Sequence, residues 1–357
     1  DLVSNKVWLN DGAGNYSDSG LSIETVEAID AYAGDLDDDG DTDIAYSVYG
    51  AGNRVALNNG DVSFTDAGMA MNPSNSRGIA AGDFDADGFT DLYFPDLSAG
   101  GDYVWLNDGD GTFTNSEILG SVVASWPFAA DFDGDGDTDV AVAVKGGTYR
   151  NKLWLNNAGS FSDSALEMGS YDTWAITGAD FNGDGDVDLF ETCQDQTNRV
   201  WNNILNHGNT APPAPSPTAE PDIGIYGGTT GVRLQWGAGS DVETSDTDLL
   251  TYDVMIGTTS GGCEVYCGFF PGTSPWRGHG FGNAGASEAV YIDNLGHGTY
   301  YWSVRTVDTV FEAGSWSAED SFKIDTTAPS TIAAVNDGDG ADITYSSSTS
   351  QLSANWS

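Results

Sequence analysis

The stretch "DFDGDGDTDVAVAV", residues 131–144, places aspartate at 131, 133, 135, 137 and 139 and then breaks into an apolar, β-branched run. Carboxylates this dense repel one another unless something neutralises them. Numbered from Asp131, the side chains at positions 1, 3 and 5 converge on one point only if the chain curls tightly, and Gly136 at position 6 permits that turn. A backbone carbonyl at position 7 and the carboxylate at position 9 complete an all-oxygen cage. Hard oxygen donors on a flexible loop select Ca²⁺, because Mg²⁺ demands stricter octahedral geometry and keeps more of its water.

The loop recurs. Copies begin at Asp35, Asp83, Asp131 and Asp180, at spacings of 48, 48 and 49 residues. The first would bind through Asp35, Asp37, Asp39 and Asp43, with the carbonyl of Asp41; the second through Asp83, Asp85, Asp87 and Asp91, with that of Phe89. The third offers Asp131, Asp133, Asp135 and Asp139 with Asp137, and the fourth Asp180, Asn182, Asp184 and Asp188 with Asp186. The expectation is therefore about four Ca²⁺ sites, one per blade loop. A merely soluble turn has no need to keep acids at positions 1, 3, 5 and 9. An EF-hand needs flanking helices and an acid at position 12; that position holds Tyr46, Phe94 and Val142, and only the fourth loop has Glu191.

Other markers keep the same rhythm. "VWLN" at 7–10 returns as "VALN" (55–58), "VWLN" (104–107), "LWLN" (153–156) and "VWNN" (200–203), and an aromatic follows at Tyr16, Phe64, Phe113 and Phe161. Turn residues such as "NDGDGT" (107–112) separate the two markers and suit a tight hairpin. Each unit reads as four short strands: a small apolar one ("GIAAGDF", 78–84), the run after the aspartate loop, the "VWLN" strand and the aromatic strand. Four strands per unit in tandem predict an all-β chain of β-propeller blades. No segment sustains the 3.6-residue period of a helical solenoid. Residues 1–20 supply only the last two strands of a blade, and the blade ending in "VWNNILN" lacks its fourth. Missing upstream blades are the favoured explanation, a compact four-bladed ring the other.

With these "DxDxDGxxD" loops and "VWLN…DGxGxF" hairpins, residues 1 to about 206 resemble FG-GAP/VCBS repeats, as in integrin α-subunit propellers and many secreted microbial proteins. The resemblance implies Ca²⁺ in the loop between the first two strands of a blade, stiffening the propeller, and often seven blades.

"APPAPSPTAEP" (211–221) reads as a stiff proline-rich linker. Beyond it "GVRLQW", "LTYDVMIG", "GTYYWSVRTVD" and "SWSAEDSFKID" alternate like the strands of a β-sandwich, with Trp236 and a Tyr301/Val304 face in its core. Their order resembles a fibronectin type III domain, apart from a Gly-rich insert at 258–288. The expected domains are propeller blades at 1–206, linker at 207–221, sandwich at 222–325, and the start of a second Ig-like or fibronectin-like unit at 326–357. The chain is expected to be a mature product or a piece of something longer.

Charge narrows the function. The chain of 357 residues has 55 acids, 11 bases and a formal charge of −44, and the four loops alone carry 19 of the acids. Such a surface repels nucleic acid and anionic lipid, and no apolar run is long enough to insert in a membrane. His207, His279 and His297 lack zinc spacing, and no nucleophile elbow occurs. Cys263 and Cys267 are a plausible disulfide in an oxidising compartment, while Cys193 reads as a small buried residue. The expectation is a non-enzymatic, secreted or cell-surface calcium-binding scaffold for adhesion or assembly. Its partners would be extracellular proteins, glycans, or copies of itself in a surface assembly or filament. The alternative is a secreted lectin, or a polysaccharide lyase or hydrolase, with a calcium propeller.

Overall fold

The computed structural model describes residues 5–326 except 11–14, 22, 24–25, 61–62, 70, 73–74, 99, 121, 147–149, 167, 170–171, 205–208, 218–220, 227–228, 243, 245–248, 268–281 and 286. His207, His279, residues 268–281 and 286 of the Gly-rich insert, and residues 327–357 of the anticipated second unit therefore lie outside the described residues.

The chain is all-β and built from small antiparallel sheets. A hairpin of β1 (Trp8–Asn10) and β2 (Tyr16–Asp18) comes first. Three four-stranded units follow in chain order. Blade one is β3 (Ala28–Gly34), β4 (Asp43–Val48), β5 (Arg54–Asn58) and β6 (Phe64–Asp66). Blade two is β7 (Ala80–Gly82), β8 (Asp91–Phe94), β9 (Asp102–Asn107) and β10 (Phe113–Leu119). Blade three is β11 (Ala124–Ala130), β12 (Asp139–Val144), β13 (Lys152–Leu155) and β14 (Ser162–Asp163). Blade four has the three strands β15 (Thr173–Ala179), β16 (Asp188–Cys193) and β17 (Arg199–Trp201).

Packing explains the apolar run "VAVAV". All of β12 is buried, because both faces of its sheet are covered. Val140 and Val142 pack with Tyr93 and Val104 of blade two, and Ala141 and Ala143 with Ile176 and Leu189 of blade four. The first strands lie so close that side chains must be small. A Cβ on Gly78 would stand 2.8 Å from the Trp126 Cα, and one on Gly178 would meet the Phe128 ring at 2.5 Å.

The second half forms a three-stranded sheet of β18 (Asp222–Tyr226), β19 (Thr229–Gln235) and β22 (Ala289–Ile292). A four-stranded sheet contains β20 (Thr251–Gly257), β21 (Tyr266–Cys267), β23 (Gly298–Val307) and β24 (Asp320–Ile324). Both sheets contribute to one core around Trp236, Tyr252 and Trp302. Trp236 and Val304 lie there as expected, but Tyr301 does not; Tyr300 and Trp302 take that face. Side chains alternate along a strand, so residues 301 and 304 cannot share a side. A buried ion pair joins the Arg305 Nη2 to the Asp253 carboxylate at 2.9 Å, with Trp316 over the guanidinium.

The proline-rich segment does not stand free as a spacer. Pro212 and Pro215 are buried, Pro217 bridges to Trp236, and Gly237 donates its N–H to the Ser216 carbonyl at 2.9 Å. Its extended backbone offers carbonyls to the sandwich edge. The plausible bridge between Cys263 and Cys267 is not formed here.

The two halves meet through the turn after β23. Phe311 is 4 % exposed, packs edge-on to Phe128 at 5.9 Å, and belongs to the cluster between blades three and four. Its φ of 66° is rare for a bulky residue. Thr309, two residues earlier, donates its hydroxyl to the Asp131 carboxylate at 3.1 Å. Phe311→Ala should therefore lower the stability of the intact chain by about 3 kcal/mol, measured by denaturant unfolding. A loss under about 1 kcal/mol would show the contact to be incidental.

Candidate metal centres

The four aspartate loops share one backbone plan. The position-1 carboxylate turns back to accept the N–H of the position-6 glycine: Asp35 from Gly40 at 2.9 Å, Asp83 from Gly88 at 2.8 Å, Asp131 from Gly136 at 3.0 Å and Asp180 from Gly185 at 3.0 Å. All four glycines have φ between 91° and 98°. Position 4 is left-handed as well, and there only two loops have glycine; Asp38 (56°) and Ala86 (61°) occupy the others. This second left-handed site escaped the sequence reading, which attended only to position 6.

The position-9 carboxylate holds each loop shut. Asp43, Asp91, Asp139 and Asp188 each accept the N–H of position 2 on one oxygen, from Leu36, Phe84, Phe132 and Phe181 at 2.7–3.0 Å. The other oxygen accepts the N–H of the asparagine ending the "VWLN" motif, from Asn58, Asn107, Asn156 and Asn203 at 2.7–2.8 Å. Position 7 turns its side chain toward the blade's own hairpin. A Cβ on Gly60 would lie 2.6 Å from Asp41, one on Gly109 2.5 Å from Phe89, and Asp137 accepts the Ala158 N–H at 3.0 Å. An aromatic is thus tolerated at Phe89, since a ligand there would use only its carbonyl.

One oxygen each from Asp35, Asp37 and Asp39 lie within 4.8 Å of one another, as do those of Asp83, Asp85 and Asp91, and of Asp131, Asp133 and Asp139. The first loop therefore gathers positions 1, 3 and 5, and the next two gather 1, 3 and 9, leaving Asp43, Asp87 and Asp135 outside the trios. Among the described residues the fourth loop gathers no such trio. Asn182 replaces an acid there, and Asp180 Oδ1 already accepts the N–H groups of Asn182, Gly183 and Asp184. The Oδ1 atoms of Asp35, Asp37 and Asp85 are buried with no hydrogen-bond donor. Buried oxygens without donors fit a cation.

Burial, reinforced by neighbouring carboxylates, pushes these acids up: Asp35 and Asp131 to about 6, Asp43 and Asp83 to about 7, Asp91 and Asp139 to about 8. A divalent cation would reverse that by favouring the ionised form.

The asparagine also reaches the preceding blade. Asn107 Nδ2 donates to the Leu36 carbonyl at 3.1 Å, Asn156 to Phe84 at 2.7 Å and Asn203 to Phe132 at 2.8 Å. Each acceptor is the position-2 peptide of the neighbouring loop. The sequence showed the recurring asparagine only as a marker of period.

Two substitutions test this plan. Asn156→Ala strands the Phe84 and Thr138 carbonyls and should cost about 3 kcal/mol. Asn58→Ala removes a side-chain bond only within its own blade and should cost about 1 kcal/mol; equal losses in denaturant unfolding would refute the latch between blades. Ala86→Gly relieves a left-handed alanine and should raise stability by up to about 1 kcal/mol in the same measurement.

Segments 35–94, 95–142 and 131–191 match the family of FG-GAP-like repeats. No curated protein matches the chain. Among solved structures it is similar to an Agrocybe aegerita lectin specific for non-reducing terminal N-acetylglucosamine, at 14 % identity and TM-score 0.38, over 90 % of this chain and 88 % of that one. It is also similar to the extracellular domain of a hybrid two-component system of B. thetaiotaomicron (12 %, 0.32, 88 % of this chain and 42 % of that one). The V. cholerae biofilm matrix protein Bap1 is another such neighbour (13 %, 0.26, 89 % and 73 %). All four aspartate loops thus lie within three FG-GAP-like repeats spanning residues 35–191.

Proposed function

We propose that this chain is an extracellular, non-catalytic binding scaffold whose blades are rigidified by Ca²⁺. The observation that carries the reading is the convergence of three carboxylates in each of three successive loops, with buried oxygens in the first two that no donor satisfies. Asp35, Asp37 and Asp39 would hold one ion, Asp83, Asp85 and Asp91 a second, Asp131, Asp133 and Asp139 a third. The loop beginning at Asp180 would be weaker, since Asn182 brings no charge. The cation supplies charge neutralisation and a rigid cross-link between strands; FG-GAP-like repeats commonly bind calcium in this way.

A binding role is favoured over catalysis because the strongly perturbed acids of the blades already have structural partners. Asp43, Asp91 and Asp139 each accept two backbone N–H groups, and Asp102 is held by the Tyr93 hydroxyl and the Asp96 N–H. The strand orders β18-β19-β22 and β21-β20-β23-β24 support reading 222–325 as a fibronectin type III-like module that extends the scaffold. An extracellular setting accords with the surplus of acids, which a salty, calcium-rich medium screens. No helix among the described residues is long and apolar enough to cross a membrane.

Chelation should lower the melting temperature, with each independent site contributing roughly 1.4 kcal/mol when Ca²⁺ is tenfold above its Kd. The direction with pH follows from the raised acids. Unfolded aspartates ionise near 3.8, whereas Asp91 and Asp139 hold protons up to about 8 in the fold. The chelated protein thus binds more protons folded than unfolded, and its stability falls as pH rises from about 4 to 8. Millimolar Ca²⁺ should abolish most of that fall. Melting curves at pH 5 and pH 8, with and without chelator, check both statements; identical curves at pH 8 would sink the calcium reading.

A further inference from the structure

In a chain with 11 bases against 55 acids, a cation that meets no carboxylate needs a reason. Two lie at the end of the blades opposite the aspartate loops. Lys145 follows the last residue of β12, and its ammonium stands 3.2 Å from the centroid of the Trp174 ring near the start of β15. Arg77 precedes β7 and lies over the ring of Tyr49, which follows β4, at 5.4 Å. Among the described residues neither forms an ion pair, and the buried Arg77 Nε has no acceptor. The charge of Asp172, whose Oδ1 accepts the Gly146 N–H at 3.1 Å, acts on Lys145 without an ion pair.

These residues are connected. Arg77 adjoins Gly78, whose missing Cβ lets the Trp126 backbone approach. Trp126 lies 6.3 Å from Trp174 across blades three and four. Trp174 donates its Nε1–H to the Gln194 side-chain oxygen at 3.0 Å. Trp174 and Tyr49 are 37 % and 40 % exposed. Desolvation, and after it the Arg77 charge, hold the Lys145 ammonium below the usual lysine range against the pull of Asp172, so an anion arriving there would favour the charged form.

We propose that Lys145, Arg77, Trp126 and Trp174 form a site for an acidic saccharide. The sugar ring packs against the part of the Trp174 indole that Lys145 and Trp126 leave exposed, and a carboxylate or sulfate meets the two cations. Gln194 adds an amide for hydroxyl groups. An anion with no ring to stack would leave the tryptophans unused. The inference gives a ligand class to the binding-scaffold reading and rests on it.

Titration calorimetry and tryptophan fluorescence of the intact chain in millimolar Ca²⁺ test it with four probes: trigalacturonate, a sulfated heparin tetrasaccharide, neutral maltotriose and a short polyglutamate. At least one acidic saccharide should bind about tenfold tighter than maltotriose and polyglutamate, and weaken in high salt. Which of the two binds distinguishes carboxylate from sulfate recognition. Lys145→Gln and Trp174→Ala should each weaken that binding at least about fivefold while the melting temperature stays near that of the parent. Absence of binding by both acidic saccharides, equal binding of maltotriose or of polyglutamate, or binding that chelator abolishes and both substitutions spare would overturn the site. Melting with and without chelator in the same samples separates the two readings. A retained calcium effect without saccharide binding sinks only this site, and saccharide binding without a calcium effect sinks only the metal reading.

Discussion

Each position-9 aspartate accepts one backbone N–H on either oxygen, and the rest of the blade region hangs on that pair of bonds. One N–H comes from inside the loop and the other from the strand beyond, so a single carboxylate sets the loop's curl and the register of the third strand. The asparagine whose N–H it takes passes the constraint on, through its amide, to the position-2 peptide of the neighbouring loop. From Asp43 to Asp188 the result is an unbroken series of carboxylate, peptide and carboxamide running through four sheets. Charge-assisted bonds to backbone N–H groups are among the stronger ones available to a folded chain, and here they are mostly sheltered from water.

That arrangement also sorts the acids of each loop into two kinds. Position 9 is committed to the backbone, although one of its oxygens still faces the trio in blades two and three. Position 5 is held less, Asp39, Asp87, Asp135 and Asp184 each accepting one N–H, from position 7. The loop beginning at Asp131 has an extra restraint, because Thr309 donates to its first carboxylate. Phe311 anchors that same turn in the cluster between blades three and four, so the sandwich and the third loop are mechanically one piece.

Much of this was legible from residue order. Strand number, the 48-residue rhythm and the truncated blades at either side of the array follow from periodic markers and turn chemistry, which act locally. The loops too could be read, since glycine at position 6 and acids on alternate positions leave few other uses. What escaped depends on distance or parity. Asn156 and Phe84 are 72 residues apart, and only the packing of blade three on blade two brings them together. The sandwich face went to Tyr300 and Trp302 because strand alternation decides it, not aromatic content. The docking of Pro212–Pro217 on the sandwich edge and the burial of Phe311 between blades three and four arise from contacts between segments distant in sequence, for which local patterns carry no mark.

The asparagine amide gives blades two, three and four the same handshake: it takes hold of a peptide carbonyl that the preceding blade presents in a fixed place, whatever the side chain there. Leu36, Phe84 and Phe132 are interchangeable at that grip because only their backbone is touched. A lineage can therefore lengthen or shorten such an array by copying or deleting whole units without redesigning a junction, whereas a change of a few residues within a unit would break two joints at once.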